Sequence, residues 1–156
     1  MGGPRLRAGL LPFLSATVMA NQSPSILPEP VLLAVSHEQA RDLLADRLRR
    51  ADADVQSVSN GTDTRREIQE QAFGVVVAET RLPGRSGLEL LRSFPTLQPP
   101  FVLLGRQGND EEIERAFELG AADYFTLPFS PSIATARIMR VPRLVAAASG
   151  SRSVSE

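Results

Sequence analysis

Short apolar runs recur along the middle of the chain, and each is followed by residues that favour a helix. The run Val31–Val35 is apolar at every position, which is typical of a strand covered on both faces. Four more strands are predicted, the first of them weaker than the others: Val55–Val58, Val75–Ala78, Phe101–Leu104 and Asp123–Leu127. The pattern therefore predicts five short strands separated by helical segments.

Capping and turn residues mark the limits of the helical segments. Asn60-Gly61 is a strong turn signal after the second strand. Asn109 and Glu112 form a candidate capping box at the start of the fourth helix, and Gly120 is a favoured stop at its end. Ser130-Pro131 has the order preferred at a helix start. The apolar residues that recur at helical spacing are Ala40, Leu43, Leu44, Leu48, Ile68, Ala72, Leu88, Leu91, Phe94, Ile113, Ala116 and Phe117.

Strands that alternate with helices are joined by crossover connections, which favour a parallel sheet. The chain is therefore predicted to form an α/β fold, with one five-stranded parallel sheet and helices on both faces. Ligands of such folds bind at the carboxyl ends of the strands. The functional site is expected among the residues that directly follow Val35, Ala78, Leu104 and Phe125.

The length of 156 residues suits one domain with a tail at each end. We predict an unstructured leader over residues 1–29, a domain over residues 30–141 and a Ser-rich tail over residues 142–156. Pro142 is expected to end or kink the last helix. Arg5 and Arg7 precede an apolar stretch that weakly resembles a secretory signal. The alternatives are an unstructured leader and a true start of the protein at Met19.

Composition excludes several kinds of site. The 17 basic and 18 acidic residues give a net charge of −1, so no nucleic-acid partner is expected. The chain has no cysteine and a single histidine, His37, which excludes thiol chemistry and a histidine-rich metal cluster. No apolar run approaches the roughly 18 residues of a membrane-spanning helix, so we expect no membrane partner and a cytoplasmic location.

Two segments carry a resemblance to a known family. Leu82–Leu91 has the sequence LPGRSGLELL, and Gly120–Phe129 has the sequence GAADYFTLPF. In this order and at this separation, they resemble the segments after the third strand and after the fourth helix of bacterial response-regulator receiver domains. The resemblance covers about residues 30–141 and implies a flavodoxin-like topology and a role in two-component or phosphorelay signal transduction.

The chemistry of that family depends on five positions, and the chain departs from the family's residues at each of them. In the family, an acidic pair and an aspartate bind Mg²⁺, the aspartate accepts the phosphoryl group, and a threonine or serine and a lysine hold its oxygens. The acidic pair corresponds to Val35 and Ser36, the aspartate to Glu79, the threonine or serine to Gly105, and the lysine to Leu127. The resemblance thus implies a degenerate, pseudo-receiver domain without bound Mg²⁺ or another cofactor, and without catalytic residues.

Glu79 stands at the position of the phosphorylated aspartate and carries a permanent negative charge. One interpretation is that it imitates the phosphorylated residue and holds an active-like state, and the other is that it is a tolerated carboxylate. We expect Arg81 or Arg106 to pair with it, because an unpaired, partly buried carboxylate is costly. The alternative is that both arginines are solvated loop charges. Leu127-Pro128 matches the family's Lys-Pro bond, which is usually cis, so a cis bond is expected here.

The leading hypothesis is a receiver-like signalling module that acts by protein–protein interaction and not by phosphorylation or catalysis. Its expected partners are a histidine kinase or an output protein, with a homodimer as a further candidate. The resemblance implies an interaction surface on the fourth helix, fifth strand and fifth helix, from Ala116 to Met139, with Tyr124 on it. Two alternatives are a working response regulator with atypical phosphoacceptor chemistry and a small flavodoxin-like enzyme or binding protein. A DNA-binding regulator is disfavoured because no second domain follows residue 141.

Overall fold

The computed structural model describes residues 29–94 and 99–142. The predicted leader and tail lie outside these residues, except at positions 29 and 142. The strands are β1 (Val31–Ala34), β2 (Val55–Val58), β3 (Val75–Glu79), β4 (Phe101–Arg106) and β5 (Asp123–Leu127). The helices are α1 (Glu38–Arg50), α2 (Gly61–Glu70), α3 (Gly87–Ser93), α4 (Asp110–Glu118) and α5, which is helical over residues 131–142.

The strands form one parallel sheet in the order β2-β1-β3-β4-β5. Val31 of β1 is in register with Val55 of β2 on one side and with Val75 of β3 on the other. Because the strand order reverses at β1, the carboxyl ends of β1 and β3 form the switch point at which open α/β sheets bind ligands. The predicted five-stranded parallel sheet is confirmed.

The hydrophobic core lies on both faces of the sheet, because successive side chains of a strand point to opposite faces. On one face, Leu33 of β1 packs in a cluster with Leu44 of α1 and Ile138 of α5. On the other face, Leu32 belongs to a cluster with Leu90 of α3. All five side chains are fully buried. Helices therefore cover both faces, as predicted.

Backbone approach explains a glycine at the start of α2. The Asn60-Gly61 turn leads directly into this helix, where the Asn60 side chain accepts a hydrogen bond from the Asp63 N–H at 2.8 Å. The Gly61 N–H donates to the carbonyl oxygen of Pro83 at 2.7 Å, and a Cβ on residue 61 would overlap the backbone of Arg85. Glycine at position 61 thus allows α2 to pack against the loop that precedes α3.

The helix caps agree in part with the predictions. Asn109 accepts a hydrogen bond from the Glu112 N–H at 3.2 Å, but the Glu112 carboxylate is engaged by a tyrosine and does not complete the predicted capping box. A complete box, which was not predicted, joins Ser86 and Glu89 at the start of α3. Gly120 follows α4 with a φ of 103°, which confirms the predicted stop.

Two apolar residues at helical spacing are exposed on the outer sides of their helices. Leu43 of α1 is 44% exposed and Phe117 of α4 is 49% exposed. The Leu127-Pro128 bond is cis, as predicted. Among the helices that the structure describes, none combines the length and the apolar composition needed to cross a membrane.

Candidate functional site

An open cleft of about 420 Å³ lies at the carboxyl ends of β1, β3, β4 and β5. It occupies the edge of the sheet at which the site was predicted. Four of the five positions singled out by the resemblance line it, namely Ser36, Glu79, Gly105 and Leu127. The fifth residue, Val35, is fully buried in the core cluster beneath α1 and α5. The other lining residues are His37, Ala40, Thr80, Arg81, Leu104 and Arg106.

The carboxylate of Glu79 is held by the residue that follows β1. Its Oε1 atom accepts hydrogen bonds from the backbone N–H of Ser36 and from the Ser36 hydroxyl, both at 2.7 Å. Glu79 is the last residue of β3, which is paired with β1 in the sheet. The two donors therefore connect the neighbouring strands across the switch point and stabilise the carboxylate.

The predicted ion pair between Glu79 and Arg81 or Arg106 is not formed. The ion pairs among the described residues join other side chains, and neither guanidinium lies within 4.0 Å of Glu79. Both arginines are exposed to solvent at the edge of the cleft. The physical reason is that Ser36 already supplies the hydrogen bonds, while an exposed ion pair gains little over solvation of its two charges.

Tyr124 of β5 lies behind Gly105, one of the residues that line the cleft. Its side chain is buried, with 7% of the residue exposed, and its hydroxyl donates a hydrogen bond to Glu112 Oε1 at 2.8 Å. Burial and this hydrogen bond raise the pKa of Tyr124 above its usual value, against smaller opposite effects of Thr80 and of the charge of Arg81. The phenol thus links β5 to α4.

Gly105 provides the space that the Tyr124 ring occupies. A Cβ atom on residue 105 would lie 1.8 Å from the Tyr124 hydroxyl oxygen and 2.7 Å from the ring carbon that bears it. No side chain other than hydrogen is compatible with this ring position, because non-bonded heavy atoms do not approach so closely. The buried position of Tyr124 therefore requires glycine at position 105, which corresponds to the family's threonine or serine.

Tyr124 lines the depression on the predicted interaction surface, but only 7% of the residue is exposed, and its role in an interaction stays a prediction. Its ring turns toward Gly105, and its polar end is bound to Glu112 inside the domain. The apolar side chains exposed on that face are Phe117 of α4 and Ile133 of α5, which are 49% and 58% exposed. Burial of Tyr124 is favourable because its apolar ring is removed from water while its hydroxyl keeps a hydrogen-bond partner.

Titration of this phenol is a direct test of its environment. We expect Tyr124 of the folded chain to stay protonated well above pH 10, the usual pKa of tyrosine. The protonated form is favoured in the folded chain, so its stabilising contribution is complete below pH 10 and is lost as the pH rises beyond that value. The chain has one tyrosine and no tryptophan, so phenolate absorbance reports Tyr124 alone. A native-state midpoint equal to the midpoint measured in urea would contradict the described environment.

The residues of the cleft do not match a Mg²⁺ site. Mg²⁺ requires an octahedral set of oxygen ligands, usually anchored by one or two carboxylates. Among the lining residues Glu79 has the single carboxylate, and the Ser36 donors already engage it. Within the part of the chain that the structure describes, no three metal-binding side chains come together. The whole sequence contains no lysine, so composition alone indicates that the family's lysine is replaced, and the residue at that position is Leu127.

Comparison with known families decides the family to which this fold belongs. The family model of the response regulator receiver domain matches residues 31–139, which is most of the chain. The chain belongs to the response regulator receiver domain family. The order of the strands and the position of the cleft agree with this membership.

Individual relatives of this receiver domain include a transcriptional regulatory protein and other receiver domains. The chain is 32% identical over 117 residues to the transcriptional regulatory protein GltR of Pseudomonas aeruginosa, covering 72% of this chain and 48% of GltR. It is 30% identical to the BeF3-activated receiver domain of DrrB, from Thermotoga maritima, with a TM-score of 0.66 over 73% of this chain and 97% of that one. It is 28% identical to the non-phosphorylated HemR receiver domain of Leptospira biflexa, with a TM-score of 0.66 over 73% of this chain and 94% of that one. The chain spans about half the length of the curated relatives it matches.

Proposed function

We propose that this receiver domain of a two-component response regulator acts without phosphorylation, as a module for interaction with other signalling proteins. The observation that carries the proposal is the arrangement at Gly105. The Tyr124 ring fills the space that any larger side chain at position 105 would need, and Glu112 holds its hydroxyl. The conformation around the cleft is thus set by the sequence and needs no added phosphoryl group.

The chemistry of the cleft supports the same proposal. Phosphorylation of Glu79 would convert its carboxylate, which accepts two hydrogen bonds from Ser36, into an acyl phosphate and would add negative charge to the cleft. Phosphoryl transfer requires cations and donors that are fixed in position around the transferred group. The lysine position holds Leu127, and one member of the acidic pair is replaced by a hydrogen-bond donor, Ser36. We therefore expect neither Mg²⁺ binding nor phosphoryl transfer.

Glu79 supplies a permanent negative charge at the acceptor position. Its two hydrogen bonds to Ser36 direct the carboxylate toward β1 and away from Gly105 on β4. We propose that this charge is permanent and takes the place of the charge that phosphorylation adds and dephosphorylation removes.

The proposed partner surface is formed by α4, β5 and α5. Phe117 and Ile133 are exposed there, and Ile133 lines a shallow depression of about 280 Å³ together with Ile113 and Phe129. Exposed apolar side chains around a depression favour contact with another protein. The candidates are a histidine kinase, an output protein or a second copy of the chain.

Two-dimensional amide NMR spectra with and without Mg²⁺ and beryllofluoride test the proposal. We expect the peaks of Glu79, Gly105 and Leu127 to stay unchanged, because the cleft lacks the ligands that fix a phosphoryl-like group. The DrrB receiver domain, which is known in a BeF3-activated form, serves as the positive control under the same conditions. Shifts clustered at those three residues would refute the proposal in favour of a working response regulator with atypical phosphoacceptor chemistry.

A further inference from the structure

The cleft at the carboxyl ends of the strands has the size and the lining of a small-molecule site. Its volume of about 420 Å³ falls within the range of roughly 300–1,000 Å³ that is typical of ligand pockets. Ala40, Leu104 and Leu127 give it apolar walls, and Gly105 adds no side chain. Leucine at position 127 is one cause of this apolar character, since the family's lysine would place an ammonium group here.

Two positive charges stand at the edge of this apolar space. Arg81 and Arg106 line the cleft and are exposed, and neither forms an ion pair with a described residue. One carboxylate, that of Glu79, also lines the cleft, and two hydrogen bonds from Ser36 engage it. The nearby carboxylate of Glu112 is bound to the Tyr124 hydroxyl. With two guanidinium groups and one carboxylate, the lining has an excess of one positive charge.

We propose that the cleft binds a small amphipathic carboxylate, with its apolar body against Ala40, Leu104 and Leu127 and its carboxylate held by Arg81 and Arg106. A planar guanidinium presents two parallel N–H donors that match the two oxygens of a carboxylate. A single negative charge balances the lining, whereas a phosphate monoester would bring a second charge close to Glu79. The apolar walls contribute the larger share of the affinity, since the two arginines remain partly solvated.

Binding in the cleft has a route to the rest of the domain. Gly105 lines the cleft and lies directly against Tyr124, since a Cβ on residue 105 would be 1.8 Å from the tyrosine hydroxyl oxygen. A ligand against Gly105 is therefore expected to change the environment of the buried ring. Tyrosine fluorescence then serves as a second readout, because Tyr124 is the one tyrosine of the chain and there is no tryptophan.

The probe for this proposal is octanoate, added to the folded chain without Mg²⁺ or beryllofluoride and followed by two-dimensional amide NMR. We expect saturable shifts centred on Ser36, Thr80 and Arg106, with a dissociation constant on the order of 1 mM for so small a ligand. Octanamide, which has the same body without the charge, should bind more weakly. Acetate, which has the charge without the body, should give no saturable shifts over the same range.

Matched variants separate the charge from the apolar walls. Arg81→Gln and Arg106→Gln should each weaken octanoate binding by roughly threefold to fivefold, as expected for exposed ion pairs. Arg85→Gln is the control, because Arg85 lies at the same end of the sheet and does not line the cleft. Ala40→Leu keeps every charge and should also weaken binding, since its larger side chain fills part of the space.

Three results would overturn the proposal. The first is the absence of saturable shifts with octanoate, and the second is equal affinity for octanoate and octanamide together with unchanged binding by both arginine variants. The third is a set of shifts confined to Phe129 and Ile133, which would place the ligand in the depression beside α5. Because no phosphoryl analogue is present, these results are independent of whether the domain is phosphorylated.

Discussion

Replacing Gly105 by threonine should lower the free energy of unfolding by about 2–3 kcal/mol, the upper part of the range for an overpacked core position. The added Cβ would lie 1.8 Å from the Tyr124 hydroxyl oxygen, so the ring has to leave its buried place between β4 and α4. The hydrogen bond to Glu112 is lost at the same time. Urea denaturation followed by circular dichroism measures the loss, and the pKa of Tyr124 should return toward its usual value.

A double-mutant cycle with Tyr124→Ala tests whether the two residues act together. Tyr124→Ala alone removes a buried ring and should cost about 3 kcal/mol. In that background the threonine at position 105 has room, so its added cost should be small and the coupling between the two changes about 2 kcal/mol. Tyr124→Phe is the control, since it keeps the ring carbon that a Cβ would meet at 2.7 Å. If Gly105→Thr lowers the free energy of unfolding equally in the wild-type and Tyr124→Ala backgrounds, the buried position of the ring does not depend on glycine at position 105.

This coupling bears on the proposed function. If the conformation around the cleft is set by Gly105 and Tyr124, then Gly105→Thr should shift the amide peaks of α4, where Glu112 receives the tyrosine hydroxyl. A variant that folds with unchanged α4 peaks would mean that the ring position does not determine the proposed partner surface.

Arg137→Ala should destabilise the domain by about 2–3 kcal/mol, because it leaves the carboxylate of Asp123 buried without its partner. The Arg137 guanidinium binds both oxygens of that carboxylate, at 2.6 Å and 3.0 Å, and the Asp123 side chain is 9% exposed. The guanidinium also lies over the ring of Phe125, 4.7 Å from its centroid. The Arg137 side chain is 42% exposed, so solvent reduces the loss below that of a fully buried pair.

The matched control for this prediction is Arg50→Ala. It breaks the ion pair between Arg50 and Asp46 of α1, whose side chains are 73% and 55% exposed. Exposed helical pairs of this kind contribute about 0.5 kcal/mol or less. Equal losses of stability for Arg50→Ala and Arg137→Ala, measured by urea denaturation, would contradict the assigned role of the buried pair between β5 and α5.

The predictions that the structure confirms rest on local information. Continuous apolar runs identified β1, β3 and β4, since a strand buried on both faces has little place for polar residues. β2 and β5 contain polar residues and were predicted from weaker patterns. Gly120 identified the end of α4, because the φ of 103° at that position is readily adopted by glycine. The motif segments Leu82–Leu91 and Gly120–Phe129 indicated the family before any tertiary contact was known.

The predictions that needed correction concern the direction of side chains. Arg81 is close to Glu79 in sequence and Arg106 lies at the same edge of the sheet, yet Ser36, 43 residues away from Glu79, supplies its hydrogen bonds. Tyr124 matched a family position, but nothing in the linear pattern indicated that its ring fills the space above Gly105.

The sequence by itself determined the order and type of the elements, the single parallel sheet and the edge at which the site lies. The tertiary structure decided how the residues of that edge are paired: Ser36 with Glu79, Tyr124 with Glu112 over Gly105, and Asp123 with Arg137. The physical reason is that strand and helix formation follow from the periodicity of neighbouring residues. A side chain between two elements instead takes the direction that leaves the fewest atoms overlapping and the fewest buried polar groups unpaired, and that is fixed only when the elements have packed.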